Sequence, residues 1–450
     1  MAVKIQTMLQ EAVALHGQGE AQAAEPLYRA VLAGQPANGE ASHGLGTLLA
    51  QRGDHAQSLP LFQAALQSRP DIAQYWLSYA SALVVTGHPR EAQLVLVRGQ
   101  QRGFGGPAVD SLLRTAEAAL MPTPADLLVK QGTAHVLQGR MEEAVSAFRE
   151  AIAIAPDHSE AHFRLGSVLS ETGRVAAGFE HYMKRAALVH GGREPIQTKA
   201  QPAHRTKHDR EQSAYLAERH IAPGFHLEDG ARLQGPAVNP ASATPDLVHR
   251  WQTSQPQMVV IENFLTVGAL DKLRRYCAGS TIWRRNYDAG YIGATPEDGL
   301  ACPLMAQIAE EIRSTYPQMI GKHAFRYLGA FKYDSTLSTG TNIHADNSAV
   351  NVNFYIAPDE ANLDPCSGGM DIWNVSAPPG EATRRINGDE ALARDFLTQS
   401  GAALTRVPHR ANRAVIFKSD LIHKTSDCRF AEGYLNKRIN VSLLFGHRPD

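Results

Sequence analysis

Small, apolar and polar positions recur with a helical period through the first 190 residues of the chain. Within this stretch one pattern returns: a Gly, a small residue five positions later, an aromatic residue four later, a small or apolar residue three later and a Pro five later. The regular copies are Gly19, Ala24, Tyr28, Val31, Pro36; Gly53, Ser58, Phe62, Ala65, Pro70; and Gly139, Ala144, Phe148, Ala151, Pro156. The pattern predicts packed helix pairs, because Gly ends the first helix, the small residue admits the second, the aromatic fills the gap and Pro ends the pair.

This pattern resembles the tetratricopeptide repeat over roughly Met1–His190. The resemblance implies a helical solenoid whose concave face binds a protein or peptide partner. The copies that begin near Trp76 and Leu165 are less regular. An irregular insertion, Val97–Pro124, separates the repeats, and Val109–Leu120 within it predicts one extra helix.

Periodicity is weak in the next segment, residues 191–255. Tyr215–Arg219 has some helical character, and Ala237–Asp246 has the composition of a loop. We therefore predict three parts: a repeat array at 1–190, a partly ordered linker at 191–255 and a further domain at 256–450.

From Pro256 the pattern changes to short strands separated by turns. The predicted strands are a short one in the segment that starts at Met258, then Phe325–Tyr333, Ala349–Ile356, Asp371–Asn374, Ala414–Lys418 and Arg438–Phe445. Two helices, Thr266–Ala278 and Leu304–Thr315, are expected to pack outside one sheet. Such strands are typical of a β-sandwich or jelly roll. The predicted fold class is α+β and multidomain, with an N-terminal helical solenoid followed by a double-stranded β-helix, or jelly roll.

Composition narrows the possible partners. Lys+Arg 44 nearly balances Asp+Glu 45, which gives no electrostatic basis for binding nucleic acid or an anionic membrane. The sequence has no run of 18 consecutive apolar residues, so it predicts no membrane span. The N-terminus lacks the apolar core of a signal peptide. The four cysteines are scattered without a Cys-x-x-Cys pair, which favours reduced thiols and a cytoplasmic location.

A candidate metal motif lies in the strand-rich region, at His344-Ala345-Asp346. In a strand, residues two apart face the same side, so this spacing can present an imidazole and a carboxylate to one ion. The spacing alone is uninformative: composition predicts about two His-x-Asp or His-x-Glu matches, and three occur. The other two, at His158 and His226, lie in the repeats and the linker. His423 is the candidate third ligand, since non-haem iron(II) uses two His and one carboxylate and leaves other positions open.

The residues around His344 follow a recognisable order. Tyr333 ends the preceding strand, a Gly368-Gly369 turn leads into another strand, and the closing strand carries Arg438, Asn440 and Ser442 on one face. A strand face with Arg, Asn and Ser is unusual in a plain core and is explained if it lines a polar pocket.

This ordered set resembles the 2-oxoglutarate- and iron(II)-dependent oxygenases over roughly Val259–Phe445, particularly the branch that includes the prolyl hydroxylases. The resemblance implies His344, Asp346 and His423 as iron ligands and Arg438 as the partner of the far carboxylate of 2-oxoglutarate. It also implies that Tyr333 donates a hydrogen bond to the cosubstrate and that Asn440 or Ser442 completes the pocket. The prolyl hydroxylases usually carry Lys where Arg438 stands, so the resemblance implies 2-oxoglutarate without implying a prolyl substrate.

The implied reaction uses iron(II), 2-oxoglutarate and O₂ to hydroxylate an unactivated C–H bond, with succinate and CO₂ as coproducts. Three hypotheses stay open at this point. In the first, the chain is an enzyme that hydroxylates a protein or peptide recruited by the repeats. In the second, it oxidises a small metabolite and uses the repeats for assembly. In the third, it is a repeat adaptor whose β-domain is inactive. Asn351 and Asn353 are further candidates for contact with cosubstrate or substrate. His409 and His447 are predicted to be exposed, and the long connection Trp373–Val407 could form a lid.

Overall fold

The computed structural model describes residues 2–192, 201–337 and 341–448. It contains two compact units. One comprises the described residues before Pro124, and the other comprises Pro124–Gly192 with the described residues from Gln201 onward. This division falls inside the repeat array, and the boundaries at 190 and 255 stay predictions.

The repeat region consists of antiparallel helix pairs joined by short turns. Its helices are α1 (Ala2–Gly17), α2 (Ala21–Gly34), α3 (Gly39–Gln51), α4 (His55–Ser68), α5 (Ala73–Val85), α6 (Pro89–Gln101), α7 (Pro107–Leu120), α8 (Pro124–Leu137), α9 (Met141–Ile154), α10 (Ser159–Glu171) and α11 (Val175–His190). The turn glycines Gly19, Gly53 and Gly139 have φ of 84°, 82° and 74°, a conformation that L side chains rarely adopt. The extra helix predicted at Val109–Leu120 is α7.

Close packing between paired helices depends on the residues of the repeated pattern. Tyr28, Phe62 and Phe148 are buried; Tyr28 packs against Gly44 of the next pair, and Phe148 packs against Gly132 of its own pair. A Cβ placed on Gly44 would lie 2.4 Å from the Tyr28 ring, and one on Gly132 would lie 2.5 Å from the Phe148 ring. The aromatic side chains therefore fill space that only glycine leaves on the facing helix.

The segment between the repeats and the strands is folded against the second unit. It contains α12 (Ala203–Ala217) and α13 (Pro245–Thr253). Val238 forms a β-bridge with Leu265, and Leu247 and Trp251 belong to the same apolar core as the strands that follow. The helix predicted at Tyr215–Arg219 is thus the end of a longer one, and residues 193–200 of the predicted linker lie outside the described part of the chain.

The remaining elements form a sandwich of two antiparallel sheets. They are β1 (Met258–Ile261), α14 (Val267–Gly279), β2 (Arg285–Tyr287), β3 (Tyr291–Ala294), α15 (Pro303–Thr315), β4 (Phe325–Tyr333), β5 (Val350–Tyr355), β6 (Met370–Ser376), α16 (Glu381–Gly388), α17 (Glu390–Gln399), β7 (Leu404–Val407), β8 (Ala414–Lys418), β9 (Leu421–Thr425) and β10 (Arg438–Phe445). The large sheet has the order β1-β8-β5-β10-β4-β3-β2, and the small sheet has the order β7-β6-β9.

This interleaved order is that of a jelly roll. The last strand, β10, pairs with both β4 and β5, and β8 pairs with β5, so strands from the two ends of the domain alternate. Side chains from both sheets meet in an apolar layer that includes Tyr355, Met370, Ile372, Val415 and Phe417. The fold class is confirmed: a helical repeat array precedes an antiparallel β-sheet domain.

The last repeat helices pack directly against this domain, within the same compact unit. Phe179 of α11 contacts Phe325 of β4, with ring centroids 5.5 Å apart. Arg326 forms an ion pair with Glu171 at 3.1 Å. The array therefore contributes to the core that supports the large sheet.

Candidate metal centre

Backbone pairing brings the three predicted ligands together. His344 lies after β4 and His423 lies in β9, and the two exchange backbone hydrogen bonds of 2.9 and 2.8 Å. The Asp346 amide donates to the carbonyl of Ser419 at 2.9 Å. The ligand atoms of His344, Asp346 and His423 all lie within 4.8 Å of one another. The His-x-Asp spacing thus places both side chains at one point beside the small sheet.

Both imidazoles are held in the tautomer that a metal requires. His344 Nδ1 lies 2.8 Å from the carbonyl of Asn342, and His423 Nδ1 lies 2.8 Å from the carbonyl of Leu421. A carbonyl only accepts, so each Nδ1 carries the proton and each Nε2 presents its lone pair to the centre. His423 Nε2 lies 3.5 Å from Asp346 Oδ2.

The protonation states also favour a divalent cation. Burial, followed by the neighbouring His423, lowers the pKa of His344. For Asp346, burial raises the pKa, but the neighbouring imidazoles of His423 and His344 and the hydrogen bond from Asn351 lower it more, so the net shift is downward. A lowered imidazole pKa at His344 and an ionised Asp346 favour metal binding, because metal ligands must be deprotonated.

A ladder of polar side chains from β5 and β10 supports the carboxylate. Asn351 Nδ2 donates to Asp346 Oδ2 at 2.6 Å, and Ser442 Oγ donates to Asn351 Oδ1 at 3.3 Å. Asn440 Nδ2 donates to Asn353 Oδ1 at 3.3 Å. The polar strand face predicted at Asn440 and Ser442 therefore does face the centre, and Ser442 acts on Asp346 through Asn351.

Arg438 lies on the same strand face as Asn440 and Ser442, and its side chain is buried. Its Nε donates to Gly368 O at 2.5 Å, one terminal nitrogen donates to Gly369 O at 3.0 Å, and the other donates to Asn440 Oδ1 at 2.7 Å. The guanidinium also lies 4.6 Å from the ring centroid of Tyr333. Three of its five N–H groups are used in this way.

A cavity of about 650 Å³ opens in front of the three ligands. Tyr333, Asn351, Asn353, Asn440 and Ser442 line it, together with the ligands themselves. Arg438 does not line it. The outer wall of the cavity is aromatic and includes Tyr287, Tyr291, Tyr327 and Phe331. The rings of Tyr287 and Tyr291 are stacked at 4.4 Å, and those of Tyr291 and Tyr333 are stacked at 4.8 Å.

The long connection between β6 and β7 supports the metal motif, and sequence reasoning missed its key residue. Asn387, at the end of α16, donates from Nδ2 to Ala345 O at 2.8 Å and accepts from Ala345 N at 3.0 Å. Ile386 and Leu397 of the same connection pack with Ile343. Through these contacts, α16 and α17 support Ala345, the residue between His344 and Asp346. The sequence signal was the length of the connection, and no local pattern identifies Asn387.

The predictions for the two remaining histidines have different outcomes. His447 is exposed, as predicted. His409 is buried, and the prediction of exposure was wrong: its ring packs against Phe430 at 5.0 Å and Tyr355 at 5.3 Å. The prediction rested on the polar sequence around His409, which does not show that its ring packs against aromatic residues from distant segments.

Comparison with known proteins confirms the repeats. The tetratricopeptide repeat family model matches residues 9–71, 44–95 and 124–188, leaving the predicted insertion unmatched. The structure of YrrB, described as a tetratricopeptide-repeat protein with an unusual peptide-binding site, is 18% identical over 40% of this chain and 84% of its own, with a TM-score of 0.20. The non-heme alpha-ketoglutarate-dependent epimerase SnoN, from nogalamycin biosynthesis, is 15% identical over 47% of this chain and 87% of its own, with a TM-score of 0.35.

None of the curated proteins matches the chain significantly in sequence. Among the described residues, no helix is long and apolar enough to cross a membrane.

Proposed function

We propose that the jelly-roll domain is an iron(II)- and 2-oxoglutarate-dependent oxygenase that hydroxylates an unactivated C–H bond. The observation that carries the proposal is the donor set: two imidazoles with Nε2 free and one ionised carboxylate, converging beside an open cavity. This two-His, one-carboxylate set suits iron(II) and leaves coordination positions for other ligands. Iron bound here with 2-oxoglutarate and O₂ supplies the oxidising chemistry, and succinate and CO₂ are the coproducts.

The chain's own residues hold and shield the reactants. His344, Asp346 and His423 bind the metal, and Asn351 with Ser442 fixes the carboxylate. Tyr333 and Asn440 face the cavity and bind the cosubstrate. Arg438 supports both of them from behind the cavity wall, and its buried positive charge attracts the far carboxylate of 2-oxoglutarate. The proposal does not extend to the prolyl-hydroxylase branch, which no comparison supports.

A turnover assay tests the proposal. Purified chain with iron(II), ascorbate and 2-oxoglutarate should form succinate when candidate peptides or metabolites are present. His344→Ala should abolish both succinate formation and iron binding. His447→Ala removes an exposed histidine outside the centre and should leave both unchanged. A wild-type chain that binds no iron and forms no succinate with any candidate substrate would instead favour the repeat adaptor with an inactive β-domain.

The repeats favour a protein or peptide substrate over a small metabolite. The first unit carries a groove of about 750 Å³ that includes His43, Gln74 and Ser81. Filling it with Ser81→Trp should raise KM for a peptide substrate and leave kcat unchanged, because binding outside the metal centre contributes equally to ground and transition states. Gln100→Trp, on an exposed position of α6 that does not line the groove, is the matched control. An unchanged KM in the Ser81 variant would favour the metabolite.

A further inference from the structure

A second cavity lies on the other face of the large sheet from the metal centre. Successive side chains of a strand point to opposite faces, so Lys332 and Ile439 face away from the side occupied by Tyr333 and Arg438. Lys332 and Ile439 line this cavity, whose volume is about 310 Å³. That volume equals roughly ten water molecules in the liquid. The cavity is therefore large enough for a small organic molecule.

Positive charge dominates the wall. The cavity is lined by five basic residues and no acidic residue: Arg219, Arg274, Arg275, Lys332 and Lys437. Two of these are neutralised nearby. Arg275 pairs with Asp271, and Lys437 pairs with Asp334 at 2.5 Å.

The other three basic residues have no such partner. Among the described residues, no carboxylate oxygen lies within 4.0 Å of the side-chain nitrogens of Arg219, Arg274 or Lys332. Arg274 Nε donates to the carbonyl of Ile356 at 2.5 Å, and the Arg219 guanidinium lies 3.7 Å from the ring centroid of Tyr215. Asp271, Asp359 and Glu360 act on Arg274 from beyond 4.0 Å, so both guanidinium groups can still take a carboxylate at hydrogen-bond distance.

Lys332 is the most unusual member of the cluster, because it is a buried amine without a carboxylate. Its Nζ lies 4.3 Å from the ring centroids of both Trp283 and Tyr434. It also lies 3.4 Å from His208 Nε2 and 3.3 Å from the Tyr434 hydroxyl. Burial lowers the pKa of Lys332 to about 7. Glu211 acts on this amine electrostatically, but none of the described carboxylate oxygens lies within 4.0 Å of it, so an anion entering the cavity would further stabilise the charged form.

The rest of the wall is apolar. Ile356, Pro358, Leu435 and Ile439 line the space beside the basic groups. A hydrated inorganic anion gains nothing from such a surface. An organic anion buries its apolar body there and places its carboxylate on the guanidinium groups, whose fork matches a carboxylate.

We propose that this cavity is a second ligand site, which binds a small organic carboxylate with an apolar body. The proposal is independent of the oxygenase activity, because none of the wall residues is a proposed metal or cosubstrate ligand. Arg219 and Arg274 hold the carboxylate, and the apolar wall receives the rest of the ligand.

Calorimetric titration of the full-length, metal-free chain tests this site with a matched pair of probes. Benzoate carries the charge, and benzamide has the same shape without it. Benzoate should bind, and benzamide should bind at least tenfold more weakly, the effect expected for a charge-assisted hydrogen bond. Arg219→Gln and Arg274→Gln should each weaken benzoate about tenfold. Arg394→Gln, an exposed arginine of α17 outside the cavity, should leave it unchanged.

Three results would overturn the proposal. They are no heat of binding for benzoate, equal affinity for benzoate and benzamide, or benzoate affinity that is unchanged by Arg219→Gln. The last result would place benzoate elsewhere, including the metal centre. Arg274→Gln removes the hydrogen bond to Ile356 O and could therefore prevent folding. Arg219 is exposed and its guanidinium stacks on the ring of Tyr215, so Arg219→Gln should fold and keeps the test valid.

Discussion

Replacing Asn387 with Ala should weaken metal binding without touching a ligand. Asn387 makes two hydrogen bonds to the backbone of Ala345, at 2.8 and 3.0 Å, and Ala345 is buried. Each bond contributes about 1 kcal/mol net, so the variant should lose about 2 kcal/mol of local order at the residue between the two ligands. Every 1.4 kcal/mol corresponds to a tenfold change, so metal affinity should fall by about ten- to thirtyfold. Loss of outer partners of metal ligands typically weakens affinity in this range.

The assay is titration with Co(II), whose absorption in the visible range reports direct binding to the three ligands and does not require turnover. Wild type, Asn387→Ala and Asn387→Asp should be compared. The Asp variant keeps the acceptor for the Ala345 amide and loses the donor to its carbonyl, so we expect an intermediate affinity. Thermal unfolding of the metal-free proteins measures the accompanying loss of stability.

Asn374→Ala provides the matched control. Asn374 lies before α16 and accepts a hydrogen bond from the Ala403 amide at 2.7 Å, which closes the far end of the same connection. This variant should lose about 1 kcal/mol of stability while retaining wild-type metal affinity. Equal affinity in wild type and Asn387→Ala, or equal weakening in both Asn variants, would refute the reasoning that Asn387 positions the ligands.

Three other substitutions test two positions around the metal centre and the buried lysine on the opposite face of the large sheet. Asn351→Ala removes the 2.6 Å donor to Asp346, so the pKa of that carboxyl should rise and Co(II) binding should be lost at a higher pH than in wild type; an unshifted pH profile would contradict this role. Arg438→Met removes three hydrogen bonds, leaves Gly368 O and Asn440 Oδ1 without a donor, and should lower the free energy of unfolding by about 3 kcal/mol in urea titrations, whereas a loss under about 1 kcal/mol would show the network to be dispensable. Lys332 has a pKa of about 7 in the folded protein, below its ordinary value of 10.5, so the unfolded state binds more protons between these values and wild-type stability should rise with pH there. Lys332→Met should remove that rise and be the more stable protein below pH 7, by up to about 5 kcal/mol at 1.36 kcal/mol per pKa unit, and a wild type with no such pH dependence would refute the assignment.

Local patterns predicted those strands whose alternation is bounded by turns. The predicted limits of β4, β8 and β10 coincide with the observed ones. β7 and β9 were missed, because each is short and its pairing with β6 supplies the order that its own sequence lacks. In β9 this pairing, together with the bridge to His344, is what brings His423 to the centre.

The candidate site could be predicted as far as residue types on one strand face could show it. Alternation placed Arg438, Asn440 and Ser442 inward, and all three are buried. The partners of Arg438 are carbonyls at Gly368 and Gly369, about seventy residues away along the chain. The periodicity of a sequence does not predict contacts between residues so far apart along the chain. For the same reason, the sequence did not identify Asn387 as a partner of Ala345.

The packing of Phe179 on Phe325, described above, determines how the chain can be divided. A fragment that starts at Pro256 keeps every strand and every candidate ligand, but it strips α11 from the large sheet and removes the segment that contributes Leu247 and Trp251 to the core. The uncovered face would be a contiguous apolar surface, and such surfaces promote aggregation. The compact unit that contains the β-sheet domain begins at Pro124, so the final helix pairs of the solenoid belong to the same compact unit as the strands as well as to the repeat array.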